Sequence, residues 1–150
     1  MHIRNATISD APALAALITQ LGYPTTTEQM QTRLPPLLGD AVNGTLVAEI
    51  DERVVGMIGL RVDRAHEYDG VQGRILALVV DESARGNGIG TALVAAGERW
   101  VADRGARKIV VTTAEHRERT HQFYRTLSYD FTGLRFGKLL TSSSNAPGPR

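Results

Sequence analysis

The sequence predicts a mixed α/β domain, and three stretches of it carry that prediction. Residues 75–80, Ile75-Leu76-Ala77-Leu78-Val79-Val80, form an unbroken apolar run of the kind a buried strand requires. Glycines at 86, 88 and 90 follow, then Ile89, Leu93, Gly97 and Trp100 at helical spacing, and Ile109-Val110-Val111-Thr112 reads as another strand. Residues 75–111 are therefore a βαβ unit with parallel strands. Upstream, residues 45–50 and 54–62 flank Asp51-Glu52, a tight reversal between two apolar runs and hence a hairpin.

The other elements follow in order. Residues 2–8 can form a first strand. Ser9 or Asp10 can cap a helix over 11–21, with Leu14, Leu17, Ile18 and Leu21 on one face and Gly22 as its stop. Thr26-Thr27-Glu28-Gln29 has the form of a capping box and opens a second helix, which Pro35-Pro36 is expected to halt or bend. Asn43-Gly44 is a turn into the hairpin. Residues 64–73 are polar and contain glycine, as in a surface loop or the ragged ends of the hairpin strands. The helix after the glycine loop runs towards Gly105, and Gly97 within it costs about 1 kcal/mol against alanine, which suggests a close approach to the sheet. A last helix is expected over 117–127 with Phe123 and Leu127 on one face, and one or two closing strands over 129–139. Residues 141–150 have the composition of a disordered tail, so one domain is expected over residues 1–140.

Composition narrows the functional classes. The chain has 150 residues, 17 Lys+Arg against 16 Asp+Glu, and a formal charge of +1. So even a balance argues against nucleic acid or an acidic membrane as partner. There is no cysteine, which excludes disulfides, Cys-ligated zinc and a thiol nucleophile. No apolar run approaches the roughly 18 residues of a membrane span, and a cytoplasmic protein is expected.

The strand, glycine loop and helix start make an anion cradle suited to a phosphate or pyrophosphate. Glycine admits unusual dihedrals and removes the side chain that keeps a ligand off the backbone. The first helical turn supplies unpaired N–H groups and the positive end of the macrodipole. Spacing decides which phosphate ligand fits. A Walker loop needs Lys-Ser/Thr after its last glycine, whereas Gly90 is followed by Thr91-Ala92. A dinucleotide fingerprint starts almost on the strand, whereas four residues separate this loop from Asp81.

Arg85-Gly86-Asn87-Gly88-Ile89-Gly90 does match Arg/Gln-x-x-Gly-x-Gly/Ala. Some thirty residues later, Thr120-His121-Gln122-Phe123-Tyr124-Arg125-Thr126-Leu127-Ser128-Tyr129 matches A-x-x-F-Y-x-x-x-G-Y/F in outline. With the strand Leu78-Val79-Val80-Asp81 ahead of them, these segments resemble the GNAT N-acetyltransferase superfamily, in particular its small single-domain members of bacterial type. The resemblance spans roughly residues 3–140. It implies a central, mostly antiparallel twisted sheet of six to seven strands with a parallel βαβ splay at the cofactor site, flanked by about four helices. It further implies acetyl-CoA as co-substrate, an amine acceptor, no metal, and a homodimer.

Site residues follow from the same resemblance. Leu78, Val79 and Val80 would pair with the amide arm of CoA through their main chain, with the Val79 N–H polarising the thioester carbonyl and the valine side chains left to the core. Arg85, Gly86, Asn87, Gly88, Ile89, Gly90 and Thr91 would hold the pyrophosphate, and Arg119, Phe123 and Tyr124 complete the cofactor contacts. Tyr124 is expected to be the general acid that protonates the leaving thiolate. The base is open among Glu67, Asp69, Glu115 and His116, with Glu49 and His66 as further candidates, because Arg74 stands where an acid is often found. Leu21, Tyr23 and Met30 could border the acceptor, though Leu21 and Met30 read better as core. The absence of an obvious acidic wall argues against polycationic acceptors such as aminoglycosides. Two departures stand out: Ser128 occupies the usual glycine position, and Ala114-Glu115-His116-Arg117 lacks the family's asparagine. A non-catalytic acetyl-CoA sensor is the alternative reading.

Overall fold

The computed structural model describes residues 1–112, 118–133 and 135–140. Residues Met1–Val111 form one compact unit and Thr112–Arg150 a second.

The first unit is a five-stranded sheet in the order β1-β2-β3-β4-β5. Its strands are β1 (His2–Asn5), β2 (Asn43–Ile50), β3 (Arg53–Arg64), β4 (Val71–Val80) and β5 (Ala106–Val111). The first three pairings are antiparallel and β4–β5 is parallel, as the βαβ reading requires. Asp51 and Glu52 both adopt left-handed dihedrals, φ 49° and 61°, the geometry that matches the twist of a two-residue hairpin. Helices α1 (Ala11–Leu21) and α2 (Thr27–Gly39) cover one face, and α3 (Ile89–Ala102) covers the other.

Each helix start has a local cause. Thr26 Oγ1 accepts from Gln29 N–H at 3.1 Å, while Gln29 Oε1 accepts from Thr26 N–H at 2.9 Å, closing the capping box. Asp10 precedes α1, and its carboxylate accepts from Thr7 N–H at 2.8 Å and pairs with Arg4 at 2.8 Å. Arg4 also bonds Glu49 at 2.8 Å and thereby fastens β1 to β2. Gly22 ends α1 with φ 116°, as expected of a glycine stop.

Two expectations change, and a third, the stretch 64–73, resolves to the ragged ends of the hairpin strands. Pro35-Pro36 does not halt α2, which runs on to Gly39. The two prolines leave two helical carbonyls without donors, but Leu34 is 1 % exposed and Leu38 packs on the core, and that burial carries the helix through. The polar stretch 64–73 is partly strand, since β3 extends to Arg64 and β4 begins at Val71. At its base Asp63 bridges Arg61 at 2.7 Å and Arg74 at 3.4 Å, pairing charges of β3 and β4. Finally, the sheet has five strands and not six or seven: none is formed by residues 129–133 or 135–139. Phe131 and Phe136 in that segment are 74 % and 90 % exposed, so no buried face organises it into a strand.

The α3 face is built from small residues. A Cβ on Gly44 would lie 2.5 Å from the Trp100 ring, one on Gly73 2.7 Å from Val101, and one on Gly97 2.9 Å from Ile58. The helix therefore lies close on the sheet, which accounts for the glycine within it.

In the second unit α4 spans Glu118–Thr126. Ser128 closes it with φ 68°, a left-handed position that explains why glycine is the usual residue there.

Candidate functional site

β4 pairs with β5 only as far as Ile75 opposite Val111. Beyond that point no described strand runs along its outer edge. The opening coincides with a bulge: Gly59 faces Ala77 while Leu60 faces Ile75, so Leu76 is an extra residue in β4. Main-chain direction alternates along the strand. Asp81 N–H donates to Val55 C=O at 2.8 Å, and the register Val80↔Gly56, Val79↔Met57 then turns the Val79 amide towards β3. The amides of Leu78 and Val80 face the open edge. This corrects the expected role of the Val79 N–H, since the β3–β4 ladder already uses it.

At the end of this edge the chain turns through a 3-10 segment (Glu82–Ala84) into the glycine loop. Gln20 Oε1 accepts from Glu82 N–H at 3.0 Å and ties the turn to α1. Gly86 and Gly88 are left-handed, φ 81° and 76°, and a Cβ at either would meet nothing within 4 Å. Conformation, then, is what requires glycine here, not space. Gly88 is the N-cap of α3, where no side chain caps the helix and the first turn holds no acid. The first intrahelical bond is Ala92 N–H to Gly88 C=O at 3.0 Å, so the N–H groups of Ile89, Gly90 and Thr91 precede it. An uncapped, solvent-facing helix start is an anion site by construction.

The side chains of the loop serve mainly to hold it. Arg85 Nε donates to Val80 C=O at 3.0 Å and covers the last acceptor of the open edge. Asn87 Nδ2 donates to Ala84 C=O at 3.0 Å and to Arg85 C=O at 3.3 Å. Ile89 is 2 % exposed, so it offers a ligand only its main chain.

Also bordering β4, a cleft of about 170 Å³ opens between α1, α2 and the sheet. Its floor is Gly59 and Ala77, paired across β3 and β4, and its walls include Ile18, Met30, Leu34 and Leu76. Met30 both belongs to the core, at 5 % exposure, and faces the cleft; Leu21 packs against the core. Sequence reasoning missed Gly59 and Ala77. Their signal is the break in alternation at Leu76, which is visible only once the register is known.

The expected bases fare differently. Glu67 and Asp69 lie before Val71, and at about 3.3 Å per residue β4 carries its far end roughly 30 Å from them. His66 belongs to the same exposed loop, and Glu49 is held by Arg4. Glu115 and His116, like the tail from 141, lie outside the described residues.

Tyr124 lies in the second unit on α4 and is 6 % exposed. Its ring meets Phe123 edge-on at 5.2 Å and Tyr129 at 5.3 Å. Burial pushes its phenol up to about 12. Arg119 is exposed on the same helix.

A free strand edge thus runs into an uncapped helix start, with a small cleft beside the same strand. The Acetyltransferase (GNAT) family matches residues 12–129, and the chain belongs to that family. No curated protein matches the sequence. Among solved structures, a transcriptional regulator from Bacillus halodurans C-125 aligns at 24 % identity over 91 % of this chain and 99 % of its own, TM-score 0.81. A GNAT family acetyltransferase from Staphylococcus aureus aligns at 22 % identity over 93 % and 98 %, TM-score 0.80. An aminoglycoside N-acetyltransferase in complex with CoA aligns at 18 % identity over 93 % and 95 %, TM-score 0.82. These likenesses establish the fold. No helix among the described residues is long and apolar enough to cross a membrane.

Proposed function

We propose that the protein is an acetyl-CoA-dependent N-acetyltransferase acting on a primary amine of a small molecule or peptide. The observation that carries this reading is the open β4 edge leading into the uncapped start of α3. The pyrophosphate of CoA suits the N–H groups of residues 89–91 and the left-handed glycines, and its amide arm suits the outward main chain of Leu78 and Val80. Acetyl-CoA supplies an activated thioester. The amine nitrogen attacks its carbonyl directly: a C–N bond forms, the C–S bond breaks, and the thiolate takes a proton.

Two protein groups assist. The outward N–H groups of β4 stabilise charge that develops on the carbonyl oxygen. Tyr124 donates the proton to the thiolate; its raised pKa keeps the phenol protonated at neutral pH. Among the described residues the cleft lining holds no carboxylate, and the ammonium proton leaves either to water or to Glu115 or His116, which lie outside those residues. That same lack is what favours the alternative, a sensor that binds acetyl-CoA without turnover. The cleft beside the edge favours the enzyme, because a sensor of CoA alone has no use for a second cavity.

Calorimetry with CoA should give a saturable heat. Gly88→Glu should weaken it at least tenfold by placing a strained side chain and a negative charge at the helix start. An absence of binding by the parent chain would sink the reading.

A further inference from the structure

The cleft between α1, α2 and the sheet has a one-sided chemistry. Its walls are mainly leucine, isoleucine and methionine, with Asn43 and Thr45 as uncharged polar residues, and Arg33 is the single charged residue of the lining among the described residues. Arg33 is exposed at the mouth, where its Nη1 donates to Thr25 Oγ1 at 3.1 Å.

Its size is set by missing side chains. A Cβ on Gly59 would lie 3.8 Å from both Ala77 N and Leu76 Cβ, ordinary contact distance, so glycine here leaves room that any larger residue would fill. The volume of about 170 Å³ is close to that of a cavity of about 150 Å³ that takes up benzene. A single ring or a branched alkyl chain fills such a space.

Its place matters equally. Ala77 on the floor immediately precedes Leu78, the first residue after the bulge whose amide faces the open edge. A group seated on this floor lies one residue along β4 from that edge.

We propose that the acceptor is a primary amine carrying one compact apolar group, aryl or branched alkyl, which this cleft receives, and that polycationic amines are poor acceptors. The proposal rests on the acetyl-transfer reading and specifies its acceptor. Burying one ring against leucine and methionine favours such an amine by roughly 10- to 100-fold. A polyamine gains nothing from those walls, meets Arg33 with like charge, and finds no carboxylate in the lining among the described residues.

The test measures thiol release from acetyl-CoA by the parent chain with phenethylamine, isoamylamine, spermidine and kanamycin. The expected kcat/KM for phenethylamine and isoamylamine exceeds that for the two polycations at least tenfold. Gly59→Leu should raise the KM for phenethylamine at least tenfold while calorimetric CoA affinity stays unchanged. Leu37→Asp, at the half-buried rim, should do the same and serves if the first variant does not fold. Equal or better turnover of spermidine or kanamycin overturns the proposal, as does CoA binding with no turnover of either apolar amine. Folded variants whose KM is unmoved overturn it too. A chain that binds no CoA and releases no thiol with any amine removes the transferase reading itself, and the proposal with it.

Discussion

Replacing Gly73 by alanine tests how closely α3 lies on the sheet. The new Cβ would stand 2.7 Å from Val101 Cβ and 2.8 Å from both its methyls, against roughly 3.4 Å for ordinary contact. Val101 is 3 % exposed, and its Cβ is fixed to the helix, so no rotamer relieves the overlap. The end of α3 must lift or the strand must sink. Over-packing of this kind costs about 1–3 kcal/mol. Replacing glycine also removes freedom from the unfolded chain, which offsets the cost by roughly 0.4–1 kcal/mol. The net expectation is a loss of roughly 0–2.6 kcal/mol, centred on about 1.3 kcal/mol, or a fall in Tm of roughly 3–5 °C for a chain of this length. Urea melts followed by circular dichroism measure it, with Gly59→Ala as control, because its Cβ meets nothing nearer than 3.8 Å. Val101→Ala should restore only part of the loss, since the nearest atom is the Cβ that alanine keeps. A Gly73→Ala chain as stable as the Gly59→Ala control would refute the close docking.

Tyr124→Phe should lower kcat on the order of 10²-fold and leave CoA affinity nearly unchanged. Because burial raises the phenol to about 12, kcat should show no alkaline limb from this group below pH 10; full activity in the variant would mean that water delivers the proton. Ser128→Gly relieves a left-handed residue and should stabilise the chain by about 0.5–1 kcal/mol in the same urea assay, and a destabilised variant would contradict the strain. Arg4→Ala leaves the carboxylate of Asp10 buried without its partner and should cost on the order of 2 kcal/mol at neutral pH. The hydrogen bonds from Arg4 hold Asp10 below its ordinary 3.8, so this stability is present above that value and disappears as pH falls through the lower folded one. Melts from pH 7 down to 2 should therefore show a shallower acid loss in the variant than in the parent.

Local signals in the sequence were read well where neighbouring residues decide the outcome. The bounds of α1, the Thr26–Gln29 box, the Asp51-Glu52 reversal and the parallel pairing of β4 with β5 all follow from short patterns. Family membership was equally legible, because Arg85 to Gly90 and Phe123-Tyr124 keep their spacing. Elements decided by distant partners were harder. Pro35-Pro36 continue a helix because Leu34 and Leu38 bury against strands far off in sequence. The pairing of Asp63 with Arg61 and Arg74 shows only once β3 and β4 bring them together. Which amide of 78–80 faces outward depends on register, and register depends on one extra residue that composition does not show.

That extra residue gives β4 a change of parity. Ahead of Leu76 it is Gly73 that meets α3, one odd position before Ile75; after it, Val79 joins the cluster under α1 and α2, with Ala77 packed against it. Residues of one parity thus meet opposite layers on the two sides of Leu76, which strict alternation forbids. It follows that lengthening or shortening the chain has opposite consequences on the two sides of Leu76. A residue gained or lost in the turn before Val71 is absorbed there. One lost between 76 and 80 inverts every side chain and amide from that point to the glycine loop, so insertions and deletions should be tolerated in 65–70 and rejected in 76–80.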